Sequence, residues 1–131
     1  MSAAEAGAPG VAGRSGWPGG VDPVLQALRA AEAALVRAAG GAPLCGAGCS
    51  SPPAAVAAVK RAEGARSSVR AVAKRASAHP EEARGDVVHG VVLTWTADLE
   101  RWRSRRAADW VAYCEGGMAA LDALAAELRG T

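Results

Sequence analysis

The chain contains no Phe, no Ile and no Asn, and its lysines are confined to Lys60 and Lys74. These four residues are the ones that AT-rich codons supply. Their scarcity points to a GC-rich coding sequence, and it strips single arginines of most of their meaning. Apolar runs are short: the longest stretch free of Asp, Glu, Lys and Arg with an apolar character, residues 87–97, falls well below the ~20 residues of a membrane span. No transmembrane helix or membrane partner is expected. The first 20 residues offer one Arg, many Gly and Pro, and no continuous apolar segment, so no secretory leader is visible and a cytoplasmic location is the expectation. Cysteine is limited to Cys45, Cys49 and Cys114, an odd count that does not make the paired framework of small secreted domains. Reduced thiols follow from that reading.

What fills the chain instead is small. Ala contributes 34 of the 131 residues and Leu plus Val only 22, so a nominal 50% hydrophobic content conceals a thin core. Residues 1–21 alternate Ala, Gly, Ser and Pro with Trp17 as their one large ring, and cannot offset the entropy of ordering; a disordered tail is expected there. Residues 22–131 are then read as one helical domain.

Helical punctuation recurs along that domain. Asp22 and Pro23 form an N-cap and first-turn pair, after which Val24, Leu28, Ala31 and Leu35 recur at spacings of 4, 3 and 4, and Gly40 and Gly41 end the pattern; a helix is expected over about 23–39. Ser51 before Pro52 gives a second start, with Val56, Val59, Ala62, Val69, Val72 and Ala76 on one face to about residue 78. Gly64 weakens that helix, which must be held by its neighbours. His79 and Pro80 break the chain, and Asp86 offers a third cap. From there Val88, Val92, Trp95, Leu99 and Trp102 make the sharpest apolar stripe. A second stripe, Val111, Cys114, Met118, Leu121, Ala125 and Leu128, is out of phase with it. The break is expected at Gly116–Gly117, giving helices over about 86–114 and 118–129. The fold class is all-α, a small bundle of three to four helices.

Chemistry-bearing motifs are few. Cys45 and Cys49 have the spacing of half a zinc site without a second half, and Asp86 with His89 has the carboxylate–imidazole spacing of helical di-metal proteins but occurs once. No nucleophile elbow, phosphate loop or dinucleotide fingerprint is present. No enzyme activity, cofactor or metal is expected, and a thiol or metal module at the Cys45/Cys49 loop stays as an alternative.

Two features remain. Residues 52–78 carry six cations against the single acid Glu63, and Arg66, Arg70 and Lys74 form a row at i, i+4 and i+8 that suits an anionic partner or nucleic acid; helix two has no aromatic to stack on bases. Trp95, Trp102 and Trp110 fall within 16 residues, close to Tyr113, and each such ring carries ~150–250 Å² of contact area. The favoured expectation is a non-enzymatic helical interaction module, an adaptor, regulator or assembly component, that self-associates or docks a protein partner. Trp102, Trp110 and Tyr113 would make the contact, while Arg66, Arg70 and Lys74 set orientation.

Overall fold

In a computed structural model that describes residues 20–40 and 52–130, the chain forms four α-helices and no strand among those residues. They are α1 (Pro23–Gly40), α2 (Pro53–Ala78), α3 (Arg84–Ser104) and α4 (Ala108–Gly130). The protein is a small all-α bundle. The tail expected over 1–21 lies outside the described residues except for Gly20 and Val21, as do Ser51 and the Cys45/Cys49 loop.

Each helix begins and ends for a local reason. The Asp22 carboxylate accepts the Val24 amide at 2.9 Å, which caps α1, and a second carboxylate oxygen lies 3.6 Å from the Arg84 guanidinium at the start of α3. The two N-termini are thereby tied together. At α2 the cap residue is Pro52, extended at φ −60° and ψ 143° with no side-chain bond, so the expected role of Ser51 gives way to proline's fixed backbone. Nor does Asp86 cap α3. Ala83 takes that place and Asp86 sits in the first turn, where its charge still faces the positive end of the helix. Between α2 and α3 the Arg75 guanidinium donates two bonds to Glu82, at 3.1 and 3.0 Å, and closes the turn.

The break between the last two helices falls at residues 105–107, which corrects the expected division into 86–114 and 118–129. The Ala107 amide donates to the Trp102 carbonyl (3.1 Å) and the Arg106 amide to Arg103 (3.0 Å), with Arg106 in the left-handed region at φ 54°. This pair of bonds is the Schellman ending, normally built on glycine. Here an arginine occupies the strained position, so the usual residue signal is missing.

Gly116 and Gly117 instead lie inside α4 and serve its packing. A Cβ on Gly116 would stand 2.0 Å from the Arg61 carbonyl oxygen of α2, and one on Gly64 of α2 would stand 1.8 Å from the Tyr113 carbonyl oxygen of α4. The two backbones are in direct contact at this crossing. Ser68, fully buried one turn further along α2, shares its one hydroxyl proton between the Gly117 carbonyl at 3.0 Å and that of Ala65 at 3.1 Å.

The conventional core lies toward the α2–α3 turn. It joins Val24, Val72, Ala76, Val87, Val88, Val91, Leu121 and Leu124. Nothing in α3 beyond Val91 is buried. The other end of the bundle, formed by the first half of α2, the last half of α3 and the first half of α4, therefore has to be filled differently.

Candidate interaction surface

Four aromatic side chains fill that end. On α3, Trp95 and Trp102 are seven residues apart and share one face; on the antiparallel α4, Trp110 and Tyr113 are three apart and share another. Trp95 stacks on Tyr113 with centroids 5.3 Å apart, Tyr113 meets Trp110 edge-on at 5.4 Å, and Trp110 stacks on Trp102 at 5.5 Å. The rings form one continuous ladder. Its inner rung fits because residue 117 is glycine, since a Cβ there would lie 2.3 Å from the Trp95 ring. Its outer rung is open, with Trp110 44% exposed.

Cations flank the ladder. Lys60 of α2 places its ammonium 5.2 Å from the centre of the Trp110 ring, and the guanidiniums of Arg101 and Arg105 lie 5.8 and 5.6 Å from Trp102. Acids partly balance them. Glu115 is 3.6 Å from Arg103 and 4.0 Å from Arg61, Asp98 pairs with Arg101, and Glu63 with Lys60 at 3.3 Å. Solvent screens these exposed pairs, so they orient side chains more than they stabilise the fold.

Of the six residues expected to act, Trp102, Trp110 and Tyr113 come together. Arg66, Arg70 and Lys74 do not join them: the α2 cation at the ladder is Lys60, more than a turn before Arg66. Among the described residues the three form no ion pair. Sequence reading missed Lys60 and Gly117; the alternation of Arg101, Arg103, Arg105 and Arg106 with Trp102 is visible in the sequence but is not among the expected contacts. The i, i+7 repeat of Trp95 and Trp102 was available as a signal for the ladder, whereas a contact from α2 across the bundle leaves no mark in local spacing.

The other candidates separate cleanly. Cys114 is 2% exposed; burial, with a smaller push from Asp98, raises its thiol above the usual range. His89 is exposed, and His79 lies 3.6 Å from Glu81. Among the described residues no group of three or more His, Cys, Asp or Glu is placed to hold a metal ion, and no helix is long and apolar enough to cross a membrane. A cavity of about 420 Å³ opens between α1, α2 and α4, lined mainly by Ala27, Ala30, Ala31, Ala65, Ala120 and Ala123. Only Gln26 and Glu127 bring polar side chains to it. Comparison finds no match for the chain among protein-family models, curated proteins or solved structures.

Proposed function

We propose that this chain is a non-enzymatic interaction module, an adaptor, regulator or assembly component, that docks a protein partner on the aromatic ladder. The observation that supports this is the exposed Trp110 ring, stacked between Tyr113 and Trp102 with cations at the margin of the stack. Aromatic and arginine side chains held in place before binding lose little freedom on contact, and such residues dominate interface energetics. Base stacking is disfavoured, since the Trp102 and Trp110 rings already stack on one another beside Lys60, Arg101 and Arg105. An apolar helix face with carboxylates along one edge fits this surface best.

The test compares affinity capture from a cell extract by the wild type, Trp110→Ala and Leu93→Ala, the last removing an exposed apolar residue of α3 outside the ladder. The reading requires at least one protein that is retained by wild type and Leu93→Ala in high salt and is depleted ~30-fold by Trp110→Ala. Equal capture by all three refutes it.

A second reading, an anionic partner on α2, draws on the row Arg66, Arg70 and Lys74, which forms no ion pair among the described residues. It predicts binding to a polyanion that falls steeply with salt and with the double substitution Arg70→Glu, Lys74→Glu. Binding indifferent to both removes it.

A further inference from the structure

The outward side of α1 carries a pattern that the bundle does not use. Val24, Leu28, Ala31 and Leu35 turn toward the other helices, and Val24 and Ala31 are buried. About 100° around the helix, Leu25, Arg29, Glu32 and Val36 form a second stripe with spacings of 4, 3 and 4, the repeat of a two-helix seam. Leu25 is 47% exposed and Val36, 72%, the most exposed large apolar residue among those described. Arg29 and Glu32 are both exposed and, although three residues apart, form no ion pair among the described residues.

We propose that this stripe is the contact between two copies of the chain, with their α1 helices antiparallel about a two-fold axis that passes between residues 30 and 31. The order of side chains selects both the partner and the direction. In an antiparallel pair Leu25 meets Val36 of the second copy, and Arg29 meets Glu32; the two-fold axis repeats each contact, so four residues make two apolar and two ionic contacts. In a parallel pair Arg29 would face Arg29 and Glu32 would face Glu32. That arrangement is repelled twice. The seam continues outward, since Val21, 48% exposed, would lie against Gly40 of the second copy, where no atom stands within 4 Å of a Cβ position. Leu25 and Val36 are eleven residues apart, a seam of about 16 Å, short enough to place the dimer at the weak end of specific interfaces. This surface is separate from the aromatic ladder, and neither proposal depends on the other.

Charge exchange tests the proposal in the full chain, by sedimentation equilibrium under reducing conditions at concentrations up to about 0.5 mM. The wild type is expected to reach twice its 13.1 kDa. Arg29→Glu alone, or Glu32→Arg alone, replaces both attractive pairs with repulsive ones and should weaken association at least tenfold with unchanged helicity. Mixing the two variants pairs a stripe whose two charged positions are both acidic with one whose two are both basic, and should restore a heterodimer. The double variant Arg29→Glu, Glu32→Arg should again form a homodimer within about threefold of wild-type affinity. Trp110→Ala should leave the dimer intact. A wild type that stays monomeric at the highest concentration, and so leaves the face to another protein, overturns the proposal. So does a single variant that associates like wild type, or a mixture that fails to recover.

Discussion

Replacing Gly64 with Ala tests whether α2 and α4 are held backbone to backbone. The new Cβ would stand 1.8 Å from the Tyr113 carbonyl oxygen and 2.7 Å from its carbon, and ordinary contact begins near 3.4 Å, so the helices must part by roughly 1.5 Å. Neither side of the clash is a rotatable group. Overpacking of this kind costs about 1–3 kcal/mol, and separating the helices also breaks the bond from Ser68 to the Gly117 carbonyl, a further ~1 kcal/mol. Helix propensity works the other way by ~1 kcal/mol, leaving a net loss of about 1–3 kcal/mol. For a domain of this size, where urea slopes are ~1–2 kcal/mol per M, the midpoint followed by circular dichroism should fall by about 0.5–3 M. Gly116→Ala should behave alike, since its Cβ meets the Arg61 carbonyl at 2.0 Å. The same substitution elsewhere provides the contrast. Gly90→Ala meets only the tip of the Arg75 side chain, which can swing aside, and should be nearly neutral; Gly85→Ala meets nothing and should gain about 0.5 kcal/mol from propensity alone. If Gly64→Ala is as stable as wild type, or if the four variants rank by propensity without regard to position, the close crossing is wrong.

Arg106→Gly should stabilise the chain by about 0.5–1 kcal/mol, because glycine adopts the φ of 54° at the α3–α4 corner without the Cβ strain; a loss in the same urea assay would place the corner elsewhere. Asp22→Asn keeps a cap for α1 but removes the charge facing Arg84, whose Nε is already buried without a partner among the described residues, and should cost about 1 kcal/mol; Asp22→Ala removes both and should cost about 2–3 kcal/mol, and equal losses would mean that the ion pair is idle. Cys114 carries a thiol whose pKa is raised on folding above the unfolded value of 9.0, so the unfolded chain surrenders its proton first and stability should decline as pH rises beyond about 9. That decline should be shallower in Cys114→Ala. Mass spectrometry of the native protein at pH 8 should find Cys114 alkylated far more slowly than the same thiol in urea, and equal rates would contradict its burial.

Much of the architecture was legible because it rests on local signals. Asp22 before Pro23 reads as a cap and acts as one, and the 4, 3, 4 spacing of Val24, Leu28, Ala31 and Leu35 does mark the inward face of α1. Val59, Val69, Val72 and Ala76 of the expected α2 stripe are buried as well. The failures share a cause. Glycine has two uses, supplying left-handed backbone and permitting close approach, and spacing alone does not distinguish them. Gly116 and Gly117 suggest a break because of the first use, yet Gly116 serves a crossing with α2 and Gly117 a ring of α3, contacts invisible from within α4. The true corner is hidden for the complementary reason, that Arg106 takes a conformation usually assigned to glycine. At the candidate surface, the ring positions were legible from the clustering of Trp95, Trp102, Trp110 and Tyr113, while the role given to Arg66, Arg70 and Lys74 required knowing which side of α2 faces the rings.

That side is decided by the composition of the whole chain. A bundle with no Phe and no Ile cannot fill wide gaps between helices, so α2 and α4 close the gap by touching through Gly64, Ser68, Gly116 and Gly117. A crossing this tight leaves no room for an indole between those two helices. The large rings are displaced along the α3–α4 hairpin to its corner, where they stack on one another and Trp110 remains partly in water. The same economy leaves Leu25 and Val36 outside, because a thin core is already closed by Val24 and Ala31 on the inner side of α1. The aromatic ladder and the α1 stripe are therefore two consequences of one packing solution. They also separate by substitution: Gly64→Ala, which moves α2 with its Lys60 away from Trp110, should alter the tryptophan emission of the ladder while leaving the Arg29–Glu32 exchange at α1 unaffected.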